Sequence, residues 1–362
     1  MQNRIRLIIM LFLSSFILTS CQEIRSVEDI AIIQAAGYDY VDEKQTRGTI
    51  SVPQFSRAEL GAFTSEKYYT ATGETLKEIH SKLQGKSSRP LVHGKLRLNI
   101  YGEELAENDI SFLLDNLIRD ASLGREIYLT VVEGEAKDLI EGEYSENERT
   151  SRYIGGILDN NIQENFPTTN LHNFIYAYNA EGMDGFMPLL KKSGEHVIIK
   201  GIAFFKKGKY VHSIPFSDSF VFKVMKEDFK HGNRKVHFKD QDIVIENIGS
   251  DVRYHVKGRM DDPKFLIDIN VTGIVNETTR FGMPEDPKFI SKVKKKFAKD
   301  IEERCTELLK EFQEENIDPI GLGNVMKSRD RRFDNKQWKE KYPSAKIDVN
   351  VNVQINETGI SQ

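Results

Sequence analysis

The sequence predicts an α+β chain of two or three domains, each a mixed or antiparallel β-sheet packed with helices. Three patterns carry this reading. In the first third, strand and helix periodicities follow the order β-β-α-β-α-β, which fits a mixed sheet covered by helices. Strand patterns dominate from residue 197 to 276. Near the C-terminal end a long helical stripe leads to a strand of strict apolar–polar alternation. At about 150 residues per domain, 362 residues give two or three domains.

The first element is a leader. Arg4 and Arg6 form a positive start, residues 7–18 are apolar apart from Ser14 and Ser15, and small residues then precede Cys21. These are the three parts of a secretory signal peptide, and the run is too short for a comfortable membrane span. Leu18-Thr19-Ser20-Cys21 matches a bacterial lipobox, in which the cysteine is acylated and becomes the new N-terminus. Residues 1–20 are therefore expected to be removed, and Cys21 to tether the chain to a membrane from outside the cytoplasm. Two or more acyl chains make such an anchor stable.

Behind the leader, strands are expected over 30–40 and 48–55, joined by a turn at 42–45, with Pro53 ending the second or placing it at an edge. A helix over 71–83 follows from Leu76, Ile79 and Leu83, with Thr72 as its cap. Residues 91–100 alternate and read as a strand. Ile110, Leu113, Leu114, Leu117 and Ile118 mark a second helix, and 127–132 another strand. A polar crossing at 141–150 leads to a helix over 151–165, stopped by Pro167. Phe174, Tyr176 and Tyr178 alternate and predict a strand over 173–179. Residues 182–194 read as a loop, with the main boundary near 195. A hairpin over 197–205 and 210–214 turns at Lys206-Lys207-Gly208-Lys209. A helix from Ser217 to about residue 229 precedes strands over 235–248, 252–258 and 265–276. The long helix, 287–316, presents Phe289, Val293, Phe297, Ile301, Cys305, Leu308 and Phe312 on one face. The last strand sets Ile347, Val349, Val351, Val353 and Ile355 against an all-polar opposite face, as in an antiparallel sheet with one side in water.

Charge and motifs narrow the function. The net charge of −4 becomes −6 once Arg4 and Arg6 leave with the leader, the opposite of a nucleic-acid binder's basic stripe. With Cys21 acylated, Cys305 stands alone, so no internal disulfide is available; its place on the apolar stripe makes it a buried thiol. The eight histidines form no metal-ligand spacing, and His231 and His237 read as a solvated loop and turn. No GxSxG elbow and no phosphate loop occurs. Asp261-Asp262-Pro263 and Glu285-Asp286-Pro287 read as turn chemistry, and Gly155-Gly156 as close helix packing. Gly321-Leu322-Gly323 reads as a helix stop and turn, and the Lys292–Lys296 cluster as a solvated face. No catalytic constellation and no cofactor site is expected.

The C-terminal end then carries a resemblance. The amphipathic helix, Asp318-Pro319-Ile320-Gly321-Leu322-Gly323, Trp338, Tyr342-Pro343, the alternating strand and Thr358-Gly359 resemble the Ger(x)C lipoproteins, the C subunits of nutrient germinant receptors of spore-forming bacteria. The hairpin start Lys200-Gly201-Ile202-Ala203-Phe204-Phe205-Lys206-Lys207-Gly208 is similar to the opening of that family's C-terminal domain. Members often carry Trp-Asp after the lipidated cysteine and an aromatic in the glycine turn; here Gln22-Glu23 and Pro319-Ile320 stand there, as in a divergent paralogue. The resemblance implies three α+β domains, placed here at 21–135, 136–196 and 197–362. It implies lipidation at Cys21, attachment to the outer face of the spore inner membrane, and the A and B membrane subunits as partners, without enzymatic activity or cofactor. The alternative is a lipid-anchored solute-binding protein with its ligand between domains, against which stands the lack of two matched βαβ lobes.

Overall fold

A computed structural model describes residues 29–54, 65–144, 148–278 and 287–356. The leader, the lipobox and Cys21 lie outside the described residues, as do Glu285, Asp286 and Thr358-Gly359. An eight-stranded sheet runs in the order β10-β9-β8-β7-β6-β2-β3-β4. Its strands are β2 (Ala35–Tyr40), β3 (Thr46–Gln54), β4 (Ser65–Gly73), β6 (Leu98–Gly102), β7 (Tyr128–Val132), β8 (Phe186–Ser193), β9 (His196–Lys206) and β10 (Lys209–Pro215). The centre, β8-β7-β6-β2, is parallel and both flanks are antiparallel. Every residue of β6 is buried, as a parallel strand covered on both faces requires. Two short strands, β1 (Ala31–Ile32) and β5 (Leu91–Val92), pair in parallel beside it.

Helices cover both faces. On one side lie α1 (Leu76–Gln84), α2 (Glu103–Asn108), α3 (Ser111–Arg119) and α6 (Leu171–Asn179), packed on Ala36, Tyr101, Leu129 and Phe205. On the other lie α4 (Ala136–Ile140) and α5 (Thr150–Gln163), packed on Ala35, Leu98, Ile100 and Val132. Adjacent strand residues thus feed opposite cores, as the pleat dictates. Gly155 lets α5 approach Arg97: a Cβ there would lie 2.9 Å from its Nε.

The second sheet, β11-β12-β13-β14, comprises Asn233–Phe238, Gln241–Val256, Lys264–Thr278 and Lys346–Ile355. One face packs on α7 (Ser219–Lys226), α8 (Pro287–Glu314), α9 (Leu322–Arg329) and α10 (Asn335–Lys341). Cys305 is buried in this core with Ile301 and Leu308. The core also takes Phe186, Ile202, Phe204 and Ile214 from β8, β9 and β10. These three strands therefore serve both halves: Phe205 enters the first core and Phe204 the second.

Several expected elements change. Residues 171–179 form helix α6, not a strand: Leu171, Phe174 and Ala177 are its buried positions, and Asn170 caps it by accepting from Asn173 N at 3.0 Å. The expected loop at 182–194 contains β8, whose Pro188 is tolerated because β8 meets β7 only at Leu189 and Leu190. Residues 65–73 are edge strand β4, so α1 begins at Leu76, capped by Thr75 and not Thr72. The expected strand over 91–100 is split into β5 and β6 by a turn in which Leu96 N donates to His93 O. The connection expected at 249–251 lies inside the continuous β12, where these residues pair with Thr272, Val271 and Asn270 of β13, and the register shift falls just before them, between Asn247 and Gly249. β14 pairs with β13 in parallel, at the sheet edge, because α8 returns the chain across the sheet before β14. The segments 21–135 and 136–196 contribute to one sheet, and residue 197 lies within β9 of that sheet.

Candidate functional site

A dense polar construction forms the junction of the two halves, built by the Asp-Pro-Ile-Gly-Leu-Gly run. Helix α8 ends where Asn316 turns into the left-handed region at φ 51°, a cap conformation that asparagine tolerates. The chain then buries Asp318. Its Oδ1 accepts from Gly321 N at 2.8 Å and Leu322 N at 2.9 Å, and its Oδ2 from Gly323 N at 2.7 Å. Asp318 therefore caps the N-terminus of α9. Gly321-Leu322-Gly323, expected to stop a helix, instead starts one. The three amides that would cradle a phosphate there are filled by the chain's own carboxylate. Burial pushes the Asp318 carboxyl up to about 6, the three amide donors pull it back, and the facing Asp184 pushes it further up.

The first half answers through residues 182–184. Asp184 N donates to Asp318 O at 3.0 Å, and Asp184 Oδ2 accepts from Asp318 N at 2.8 Å. Asn324 N donates to Gly182 O at 2.9 Å, and Gly182 N donates to Asn335 Oδ1 at 3.2 Å. Gly182, at φ 70°, lies so close that a Cβ on it would be 2.5 Å from the Gly323 carbonyl carbon. A Cβ on Gly323 would be 2.3 Å from Trp338 Nε1. Lys226 Nζ of α7 donates to Pro319 O at 2.7 Å; burial lowers its pKa to about 8, against the pull of Asp318. A second tie runs from α8: Arg304 Nη2 holds Asp218 Oδ2 at 2.8 Å and Nη1 holds Glu311 Oε1 at 2.9 Å, while Glu311 reaches His212 of β10 at 3.3 Å.

A cavity of about 350 Å³ opens beside the junction, between α6 and α7. Four of its polar side chains are turned to partners within the chain. Thr168 donates to Glu227, Thr169 to Phe186 O, Asn173 to Thr168 O, and Lys226 to Pro319 O. The junction is thus a clamp between backbone segments. Among the described residues there is no cluster of three metal-ligating side chains. His237 pairs with Asp242 at 2.9 Å and His231 is exposed. Asp262 sits in a turn, donating its N–H to Arg259 O. Lys296 pairs with Asp300 on the exposed side of α8. In the sequence Asp318 stands within a motif, whereas Asp184 and Lys226 carry no local signal; an aspartate three residues before a glycine that opens a helix marks the cap.

The halves that this clamp joins each match a known domain. Residues 23–192 match the spore germination protein N-terminal domain, and residues 200–359 match the spore germination B3/GerAC-like C-terminal domain. The chain belongs to the Ger(x)C family of spore germination proteins. It is 30% identical to spore germination protein GerQC of Bacillus cereus over 361 residues, covering 99% of both chains. It is 24% identical to spore germination protein KC of Bacillus subtilis (strain 168), covering 99% of this chain and 97% of that one. The crystal structure of the GerBC protein shares the fold, with a TM-score of 0.57 at 19% identity over 91% of this chain and 99% of that one. In the Ger(x)C family frame, Asp184 lies in the N-terminal region and Asp318 in the C-terminal region, so the clamp ties one to the other. No helix among the described residues is long and apolar enough to cross a membrane.

Proposed function

We propose that this chain is the C subunit of a nutrient germinant receptor, acting by assembly with the A and B membrane subunits and not by catalysis. Family membership across nearly the whole chain is the observation that carries this reading. The lipobox Leu18-Thr19-Ser20-Cys21 gives it a place: the mature chain begins at Cys21, acylated, on the outer face of the spore inner membrane of a Gram-positive spore former. Anchoring raises the local concentration of the folded part beside membrane partners, so affinity is gained without new contacts. The clamp suits a subunit that presents surfaces, because it fixes the two halves against each other through backbone hydrogen bonds and the Asp184 carboxylate.

Spores carrying Cys21→Ala test this directly. The account expects loss of the protein from the membrane fraction and a failed response to the receptor's nutrient. Normal germination at normal receptor levels overturns it.

A further inference from the structure

A second cavity, of about 340 Å³, lies inside the first half, between the sheet and helices α1 and α3. Its walls are apolar: Ile50 from β3, Ile79 and Leu83 from α1, Leu113 and Leu117 from α3. Gly48 of β3 lets α1 close on the sheet, since a Cβ there would lie 2.6 Å from Ile79 Cγ2. The volume stands at the lower end of the range of small-molecule sites, about 300–1,000 Å³.

The floor is polar. Asn99 lines the cavity from β6, the central strand, and is only 1% exposed. Its Oδ1 has no hydrogen-bond partner. A buried acceptor without a donor costs free energy, and native chains avoid it unless something fills the place. At the rim His93 Nε2 faces His80 Nδ1 at 3.2 Å, with Asp120 beside them. Burial, and then the neighbouring His80, hold His93 below its usual pKa. Asp120 is engaged by Ser122, whose N–H donates at 2.9 Å and whose hydroxyl donates at 2.6 Å.

We propose that this cavity binds a small uncharged molecule with an apolar body and one hydrogen-bond donor. The donor meets Asn99 Oδ1, and the body lies between Ile79 of α1 and Leu113 and Leu117 of α3. The site belongs to the first half alone and is independent of the receptor-subunit reading.

Indole and indene are suitable probes, because they share a shape and only indole carries an N–H. Each is titrated calorimetrically into the full-length chain and into Asn99→Leu and Leu117→Trp. The expected result is that indole binds about tenfold more tightly than indene, the worth of one hydrogen bond to an unpaired acceptor. Asn99→Leu should abolish that preference, and Leu117→Trp should abolish binding of both by filling the space. Equal binding of the two probes to the wild-type chain overturns the proposal and marks an apolar void only. So does binding of neither, or binding that Leu117→Trp leaves unchanged. If Asn99→Leu does not fold, the wild-type preference together with Leu117→Trp still decides.

Discussion

Asp318 accepts from three amides, and only that of Gly321 has a second acceptor, the Asp318 carbonyl, so the side chain starts α9 and closes the clamp at once. Truncating it leaves the Leu322 and Gly323 amides without their acceptor. Asp318→Ala should cost about 3 kcal/mol in denaturant unfolding, the scale of losing charge-assisted hydrogen bonds without replacement. Gly323→Ala should cost about 2 kcal/mol, because its new methyl would press on Trp338 and Gly182. Trp338 is the only tryptophan, so a changed emission spectrum should report the same displacement. Asp39 offers a pH test. It accepts from the amides of Ala136 and Lys137 at the start of α4, and burial pushes its carboxyl from 3.8 up to about 6. A pKa raised in the folded state means that the folded chain holds the proton more tightly. Its stabilising contribution is therefore full below about pH 4 and is lost as the pH rises through 6. The stability difference between wild type and Asp39→Asn should be greater at pH 4 than at pH 7, by roughly 3 kcal/mol. A constant difference would mean that the two amide donors hold the carboxylate ionised throughout.

At the scale of elements, strong periodicity was legible and short aromatic runs were not. Helix α8 and strand β14 follow their stripes because each buries one continuous face, Val293 to Phe312 in the first and Val351 with Val353 in the second. In α6 the same residues satisfy both periods: Phe174, Tyr176 and Tyr178 alternate, yet Leu171, Phe174 and Ala177 sit three apart. The Asn170 cap settles the matter locally, and Asn170→Ala should cost about 1 kcal/mol. Strand β4 carries no strong apolar pattern because it lies at the sheet edge, where only Ala71 and Gly73 are buried. The parallel pairing of β14 depends on where α8 returns the chain, which no local pattern in 346–355 records. The clamp was half legible. Its glycines and Asp318 stand out as a motif, whereas Asp184 and Lys226 meet them only through the fold.

For the whole molecule, β8, β9 and β10 give one face to each half, so the two cores should not unfold independently. Trp338 emission, which reports the second core, and far-ultraviolet circular dichroism should therefore show one coincident transition in the wild-type chain. Asp184→Ala removes the carboxylate that accepts from Asp318 N and should separate the two curves. That coupling matters to the receptor reading, since a subunit whose halves move as one presents a fixed surface to its membrane partners. The most direct test of that reading is mass spectrometry of the protein drawn from dormant-spore membranes, covering its N-terminal peptide and the proteins that accompany it. The account predicts a diacylated Cys21 as first residue, with receptor A and B subunits in the same preparation. An N-terminus without lipid, or a lipidated chain that emerges alone or with a transporter, would contradict it.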